Sequence, residues 1–306
     1  MRIGYPCINR SIGCSPSRTF RLASYSDERV KKTVNVNLVC LLKIFSYNVD
    51  HGMLFFRITS DMVPFASHPV CTFPWREHFT DEFRRIGEYT RSHRFRISMH
   101  PDQFVLLNAP DRGVLERSIA DLMYQSQVLD LLGLDDSAKL QIHLGGVYQD
   151  KTASMERFIK NYEGLDETIR RRLVIENDER LYTISDCLSI HEHTGVPVLF
   201  DVFHHSLNNN NERTPDLLGP VRATWKKTDG IPMVDYSSQE PGKRTGAHAE
   251  SIDQRDFLSF LHSSMPYDFD IMLEIKDKEK SAMSALILAH NDPRLYREYP
   301  KSDDDT

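Results

Sequence analysis

The chain has 306 residues, of which 40% are hydrophobic and 27% are charged, so it can bury the core of one large domain or two small ones. Its formal net charge of −6 excludes a strong overall positive field of the kind that attracts nucleic acids from a distance. This argument against nucleic-acid binding is limited. The formal sum counts carboxylates that bind divalent cations as negative, although the bound cations would offset their charge.

Cysteine content and the length of apolar runs indicate the compartment. The sequence has no CxxC pair, and its five cysteines are Cys7, Cys14, Cys40, Cys71 and Cys187. An odd number at this spacing argues against a disulfide framework and favours a reduced, cytoplasmic setting. No uncharged apolar run approaches the roughly 18 residues that a membrane span requires. The first five residues are typical of a strand that begins at once, not of a signal peptide.

Short β-favouring runs bounded by polar turn residues recur along the chain. They predict eight strands, at residues 2–6, 55–59, 94–99, 139–144, 173–176, 198–201, 231–236 and 270–275. Helical spacing of apolar residues predicts a helix after each strand, in the regions 27–44, 80–92, 114–132, 154–167, 184–194, from 214 onwards, 254–263 and 281–290.

Eight alternating strands and helices predict an α/β protein with a single (β/α)8 TIM barrel over residues 1–300. In that fold the chemistry takes place at the C-terminal ends of the strands. The remaining residues, 301–306, form an acidic tail that we expect to be disordered. There is no GxGxxG or P-loop sequence to indicate a nucleotide site.

Most of the predicted strands end in a side chain that can bind a metal ion. The run from Leu173 to Asp178 shows the pattern, since three apolar residues lead directly into Glu176. The polar residues at or just beyond strand ends are Tyr5, His68, His100, His143, Glu176, Asp201, His204, Asp235, His248 and Glu274. If the barrel forms, these side chains converge on one mouth.

A set of histidines and carboxylates in this proportion is typical of two or three divalent transition-metal ions. Glu176, near the middle of the ring, is the natural bridge between two ions about 3.5–4 Å apart. A lone His after a strand is more often structural, and for His68 and His248 both interpretations stay open. For the whole set the structural interpretation is weak, because each unpaired charge in a barrel mouth costs several kcal/mol.

The motifs match those of a known family in the same order. They are Gly4–Pro6, Asn9–Arg10, His100–Asn108, His143–Gly146, Glu176–Asp178, Asp201–His205, Asp235–Ser238, His248–Glu250 and Leu273–Lys278. In this combination, over nearly the whole chain, the sequence resembles the UV damage endonucleases, which are barrels related to apurinic endonucleases of the endonuclease IV type.

The resemblance implies a DNA repair enzyme that nicks the backbone immediately 5′ of pyrimidine dimers, 6-4 photoproducts and some abasic sites. It implies a 3′-hydroxyl product and damaged double-stranded DNA as the partner, with the enzyme in the cytoplasm and at the nucleoid through its DNA. The implied cofactors are two or three divalent ions, most often manganese, with zinc or magnesium as alternatives. No membrane or protein partner is implied, and we expect a monomer.

Residue by residue, the resemblance implies metal ligands at His68, His100, His143, Glu176, Asp201, His204, His248 and Glu274. Of these, Glu176, His143, Asp201 and Glu274 are the expected catalytic residues. Gln103 and Phe104 fall on the pair that probes the duplex, and Tyr5 and Asn9 fall on lesion-contacting positions. Rim residues that could contact phosphate are Arg10, Arg18, Arg21, Lys226, Lys227, Lys243, Arg244 and Lys276. For each of these cations a solvated surface role stays open, and Lys276 could instead pair with Asp277 or Glu279.

Two positions depart from the family pattern. Phe104 stands where Tyr is common, so a hydroxyl is lost while stacking is kept, although Phe104 could also be a loop anchor packed on the rim. Met233 stands where a ligand Lys is expected, and Asp235 two residues later can still bind a metal. The third ion is therefore open. The alternatives to an endonuclease are a sugar isomerase or epimerase on the same barrel and a damage-binding protein that does not cut.

Overall fold

A computed structural model describes residues 1–297 and shows a closed barrel in which each strand pairs with its neighbours in chain order. All eight pairings are parallel. The strands are β1 (Ile3–Pro6), β2 (Phe55–Ile58), β3 (Arg96–Met99), β4 (Lys139–His143), β5 (Leu173–Glu176), β6 (Val198–Asp201), β7 (Met233–Tyr236) and β8 (Asp270–Leu273). The predicted TIM barrel is confirmed, while the predicted tail at 301–306 lies outside the described residues.

Helices cover the outside of this barrel. They are α1 (Asp27–Asp50), α2 (Trp75–His78), α3 (Thr80–Ser92), α4 (Arg112–Leu131), α5 (Lys151–Glu163), α6 (Glu167–Arg170), α7 (Ile184–Thr194), α8 (Val202–Leu207), α9 (Thr214–Ala223), α10 (Gln254–Ser263) and α11 (Glu279–Leu288). The predicted helix at 154–167 is two helices, because the chain turns at Gly164 after α5. The short helix α8 was not predicted, and it carries His204.

Side chains alternate in and out along each strand, and this alternation builds the site. One buried apolar layer inside the barrel consists of Phe55, Val174, Leu199, Met233 and Met272. The residues two positions further along the same five strands are Arg57, Glu176, Asp201, Asp235 and Glu274. The apolar layer therefore forms a floor, and every strand that contributes to it places an ionisable group directly above.

The loop after β1 is tied to α1 by a disulfide between Cys14 and Cys40. The expectation of an entirely reduced set of cysteines is therefore wrong for this pair. The two residues belong to no motif and are 26 positions apart, so nothing in their local sequence indicated the pairing. None of the helices within residues 1–297 combines the length and the apolar character needed to cross a bilayer.

Candidate metal centre

The ionisable groups above the apolar floor open into a cavity of about 830 Å³ at the C-terminal ends of the strands. His100, His143, His248 and Glu274 line this cavity together with Gln103 and Phe104. Glu176, Asp201 and Asp235 lie beneath it and are almost completely buried. This is the mouth at which the sequence placed the site.

Glu176 at the end of β5 is the point on which two histidines converge. Its Oε1 lies 2.9 Å from Nε2 of His100 and 3.1 Å from Nε2 of His143. Its Oε2 accepts a hydrogen bond of 2.6 Å from Gln141. Among the described residues, no side chain donates a well-aligned hydrogen bond to Oε1, and Nδ1 of His143 is also buried without a partner. A buried carboxylate oxygen and an imidazole nitrogen this close together need a cation or a proton between them.

The other ring nitrogens show how three of the imidazoles are oriented. Nδ1 of His100 lies 2.8 Å from the carbonyl oxygen of Pro101, and Nδ1 of His248 lies 2.9 Å from that of Glu274. Nδ1 of His204 lies 3.1 Å from the carbonyl oxygen of Asn177. A carbonyl only accepts, so we assign the proton to Nδ1 in each neutral ring, which leaves the Nε2 lone pair free. This orientation by a backbone carbonyl is typical of metal-binding histidines.

Asp201 and His204 are positioned by the start of α8. Asp201 caps this helix, with its Oδ1 accepting a hydrogen bond of 2.7 Å from the backbone N–H of His204. Asn177 holds the backbone of Asp201 from both sides, donating to its carbonyl at 2.9 Å and accepting from its N–H at 3.0 Å. Asp201 and His204 therefore face the site from one rigid turn, and Glu176 and Asp201 carry oxygens within 4.8 Å of each other.

Two polar residues of the site were not predicted, Arg57 on β2 and Gln141 on β4. Arg57 donates to Glu274 Oε1 at 2.5 Å, to Gln141 Oε1 at 2.6 Å and to both oxygens of Asp235 at 2.8 and 2.7 Å. Gln141 Nε2 donates to Asp235 Oδ2 at 2.5 Å as well as to Glu176. Asp235 was predicted as a metal ligand, and its distance from Glu176 and Asp201 permits that. Both of its oxygens are nevertheless engaged by Arg57, and Oδ2 also by Gln141.

The crowding of charges shifts the ionisation of these groups in opposite directions. Burial raises the pKa of Glu176, but the imidazoles of His143 and His100 more than offset this, and the net pKa is lowered. Burial likewise opposes ionisation of Glu274, yet Arg57 holds its pKa at about 2. Burial raises the pKa of Asp201 well above its usual value, and the neighbouring carboxylates of Glu274 and Asp235 add to the rise. Burial alone would lower the pKa of His204, but Asp201 raises it to about 9.

These shifts predict that metal-stripped protein loses thermal stability as the pH rises from about 6 to about 9. The folded-state pKa of His204 exceeds its ordinary value of 6.5, so its contribution is complete below that pH and is lost as the pH rises through about 9. Because Asp201 is the main cause of this shift, the two residues are treated as one coupled titration. The measurement is the unfolding temperature in a chelator, and we expect it to fall by several degrees over this range.

The matched control for this experiment is another histidine. His193 is exposed on α7, so His193→Gln should keep the pH dependence of the wild type. His204→Gln should flatten it. If the unfolding temperature of His204→Gln fell with pH as steeply as that of the wild type, the pH dependence would arise from another group.

His68 was predicted as a metal ligand, and Met233 stands where a Lys is expected; neither residue is in the groups described above. His68 lies on an exposed loop, where its Nδ1 accepts a hydrogen bond of 3.0 Å from the backbone N–H of Val70. The loop after β2 first makes a short 3-10 turn at Ser60–Met62, and His68 is not among the residues that line the cavity. Met233, where a Lys is expected, packs in the apolar floor, so this chain has no ligand at that position.

The residues predicted to contact a lesion divide into two groups. Gln103 and Phe104 are exposed at the cavity, and the phenyl ring of Phe104 is 74% exposed. This exposure rules out the interpretation of Phe104 as a packed rim anchor. Tyr5 and Asn9 are buried, with Asn9 donating to the Tyr5 hydroxyl at 2.8 Å and Tyr5 donating to Asn48 at 2.6 Å. In this structure they hold the first loop and present little surface to DNA.

The predicted basic rim is smaller than the sequence indicated. Arg10 is exposed on the first loop, and its backbone N–H donates to the buried carboxylate of Glu279 at 2.9 Å. Lys276 lines the cavity and pairs with Glu250 at 2.7 Å, instead of with Asp277 or Glu279. Lys226 and Lys227 precede β7 and therefore lie at the opposite, N-terminal end of the barrel, so their assignment to the rim was wrong.

Exposed cations do remain on the loops at the C-terminal face. Beside Arg10 they are Arg18, Arg21, Lys243 and Arg244. The first two belong to the loop after β1 and the others to the loop between β7 and β8. These loops follow the C-terminal ends of their strands and therefore lie at the same end of the barrel as the buried carboxylates.

Comparison with known proteins places this site in a family. A family model described as UV-endonuclease UvdE matches residues 1–293. A UV DNA damage endonuclease of Clostridium perfringens is 35% identical over 288 residues, covering 94% of this chain and 70% of that protein. The crystal structure of SacUVDE is similar with a TM-score of 0.91 and 44% identity, over 95% of this chain and 98% of that one. A D-psicose 3-epimerase, at a TM-score of 0.54 and 13% identity over 82% of this chain and 92% of that one, shares the fold alone.

Proposed function

This chain belongs to the UV-endonuclease UvdE family, and on that premise we propose that it is a DNA repair endonuclease that cuts the backbone of UV-damaged double-stranded DNA. The proposed cut lies immediately 5′ of pyrimidine dimers, 6-4 photoproducts and some abasic sites, and it leaves a 3′-hydroxyl. The proposed cofactors are two or three divalent ions, manganese first, with zinc or magnesium as alternatives.

The observation that carries the metal dependence is the contact of Glu176 Oε1 with two imidazoles. Nε2 of His100 and Nε2 of His143 lie 2.9 and 3.1 Å from this oxygen, and the assigned tautomer of His100 turns a lone pair toward it. Two acceptors at this distance repel each other unless a cation or a proton lies between them. A borderline-soft divalent ion accepts both imidazole nitrogen and carboxylate oxygen, so the donor set fits such an ion.

Two groups of ligands share this centre. His100, His143 and Glu176 lie close enough together to hold one ion. We propose a second group made of Asp201, His204, His248 and Glu274, in which His204 lies beside Asp201 and His248 beside Glu274. Divalent ions bound there would supply an activated water, charge neutralisation at the phosphoryl oxygens and stabilisation of the leaving oxygen. Glu176 contributes the carboxylate that both groups share, and its burial keeps water from competing for its oxygens.

The side chains at the rim would position the duplex. The exposed phenyl ring of Phe104 can stack on a base beside the lesion, and Gln103 can fill the gap left by displaced bases. A dimer is already poorly stacked, so opening it costs less than opening intact DNA. Lys276 and Arg10 are placed to contact phosphate. Tyr5 and Asn9 would act by holding the first loop in the conformation that presents Arg10.

The test is incision of a supercoiled plasmid with and without ultraviolet irradiation, in the presence of Mn²⁺. We expect the irradiated plasmid to become nicked and the unirradiated plasmid to stay supercoiled. A duplex with a single end label and one pyrimidine dimer should give a single product ending immediately 5′ of the dimer. A polymerase should extend that product, because it ends in a 3′-hydroxyl.

The same assay separates the alternatives. A damage-binding protein would shift the mobility of the irradiated duplex but leave it uncut in every metal tested. A sugar isomerase or epimerase would neither bind nor cut it. The family match and the exposed pair Gln103 and Phe104 favour the endonuclease over both.

A further inference from the structure

Arg57 is a fixed positive charge inside the candidate metal centre. It is 2% exposed, it lies on β2 directly above the apolar floor, and its guanidinium contacts Asp235 and Glu274 as well as the amide of Gln141. Glu274 uses only Oε1 for this contact, and its Oε2 faces His248. Asp235 uses both of its oxygens, and Oδ2 accepts a second hydrogen bond from Gln141.

This geometry decides what else Asp235 can bind. A divalent ion bonds to a carboxylate oxygen at about 2.0–2.2 Å. Nη2 of Arg57 lies 2.7–2.8 Å from the two oxygens of Asp235. An ion coordinated by Asp235 would therefore be next to the guanidinium, with like charges in a buried site of low dielectric. The guanidinium cannot lose its charge to relieve this repulsion, because it stays protonated in proteins.

The charge balance of the site agrees with this geometry. Four carboxylates, Glu176, Asp201, Asp235 and Glu274, surround one guanidinium, which leaves three negative charges uncompensated when all four are ionised. Two divalent ions and the single charge of one phosphodiester would compensate all three. A third divalent ion would leave a buried excess of positive charge.

We propose that Arg57 is a built-in cation that takes the place of one divalent ion, so that this protein's centre holds two ions and Asp235 is the counter-ion of Arg57 instead of a metal ligand. The inference rests on the proposed metal-dependent function and specifies the occupancy of its site. The proposal also accounts for Met233. Because Arg57 neutralises Asp235 on β7, no further metal ligand is needed two residues earlier, where Met233 packs in the apolar floor.

The experiment counts ions. Wild-type protein, Arg57→Ala, Arg57→Lys, Asp235→Asn and Glu176→Gln are loaded with excess Mn²⁺, freed of unbound metal by gel filtration and analysed by mass spectrometry for manganese per chain. We expect two ions in the wild type and in Asp235→Asn. We expect three in Arg57→Ala, where Asp235 becomes free to bind an ion, and two in Arg57→Lys, which keeps the charge. Glu176→Gln should lose manganese.

Each result bears on the proposal separately from the function. Three ions in the wild type, or loss of an ion in Asp235→Asn, would overturn it while leaving metal-dependent incision intact. An unchanged or smaller count in a folded Arg57→Ala, with folding checked by circular dichroism and a cooperative melt, would also overturn it. If Arg57→Ala does not fold, the counts of the wild type and Asp235→Asn decide. No bound manganese in active wild-type protein would instead contradict the proposed manganese centre itself.

Discussion

Replacing Glu176 with Gln is expected to lower the rate of incision by about 10²- to 10³-fold, the scale seen when a group that stabilises transition-state charge is removed. The two side chains have nearly the same volume, so the change removes charge and not packing. Oε1 of Glu176 is the atom that His100 and His143 approach, and the amide would bring a weaker ligand to both groups. The measurement is the rate of nicking of irradiated plasmid at saturating Mn²⁺.

The controls separate this effect from a loss of folding. Glu192→Gln makes the same chemical change on the exposed face of α7 and should cut at the wild-type rate. In a chelator, Glu176→Gln should still melt cooperatively but at a lower temperature than the wild type, because His143 and His100 favour the ionised carboxylate in the folded state. If Glu176→Gln nicked irradiated plasmid as fast as the wild type, the shared-carboxylate mechanism would be wrong.

The alternation of apolar and ionisable residues explains how much of this site the sequence could predict. Strand β5, predicted at 173–176, has those bounds in the structure, and the same is true of β6 at 198–201. Both strands are short apolar runs that end in an acid, so the length of the apolar run and the position of the acid predict the same strand end. Because parallel strands of a closed barrel end at one face, predicting the strands also predicted the convergence of Glu176 and Asp201.

Arg57 and Gln141 show why the rest was missed. The second strand was identified by Phe55, Phe56 and Ile58, and the charged residue among them was passed over. A charge inside a four-residue buried strand was itself a signal, since Arg is almost never fully buried unless it is paired. The same holds for Gln141, which lies two residues before His143 and therefore on the same inward face. The carboxylates that pair with Arg57 are far from it in sequence. The geometry of the closed barrel brings them together, so no local sequence pattern could predict the pairing.

His68, Tyr5 and Asn9 show the limit of transferring positions along a motif. Their order along the chain matches the family, yet loop conformation and burial decide what each side chain touches. The two buried residues form hydrogen bonds to each other and to Asn48, while His68 is exposed and accepts a hydrogen bond from the backbone of Val70. Loops owe their shape to many weak contacts, so their details are harder to predict than strands.

Phe104→Ala is expected to lower incision of a dimer-containing duplex substantially while leaving the metal centre unchanged. Stacking of a base on an aromatic ring contributes about 1–3 kcal/mol, which corresponds to roughly 5- to 150-fold in rate or affinity. The ring is 74% exposed, so little packing is lost, and neither the unfolding temperature nor the manganese content should change. Phe104→Tyr keeps the ring and should cut within about twofold of the wild type if stacking is what matters.

A matched apolar residue makes this a test of position and not of surface hydrophobicity. Ile287 on α11 is also 74% exposed and lies outside the cavity lining, so Ile287→Ala should leave incision unchanged. The decisive measurement is the ratio of rates on dimer-containing and intact duplexes. A wedge that fills the gap beside a lesion must act on the damaged duplex, so Phe104→Ala should reduce this ratio. If both rates fell equally, Phe104 would contribute general DNA affinity, and recognition of the lesion would have to come from groups deeper in the mouth of the barrel.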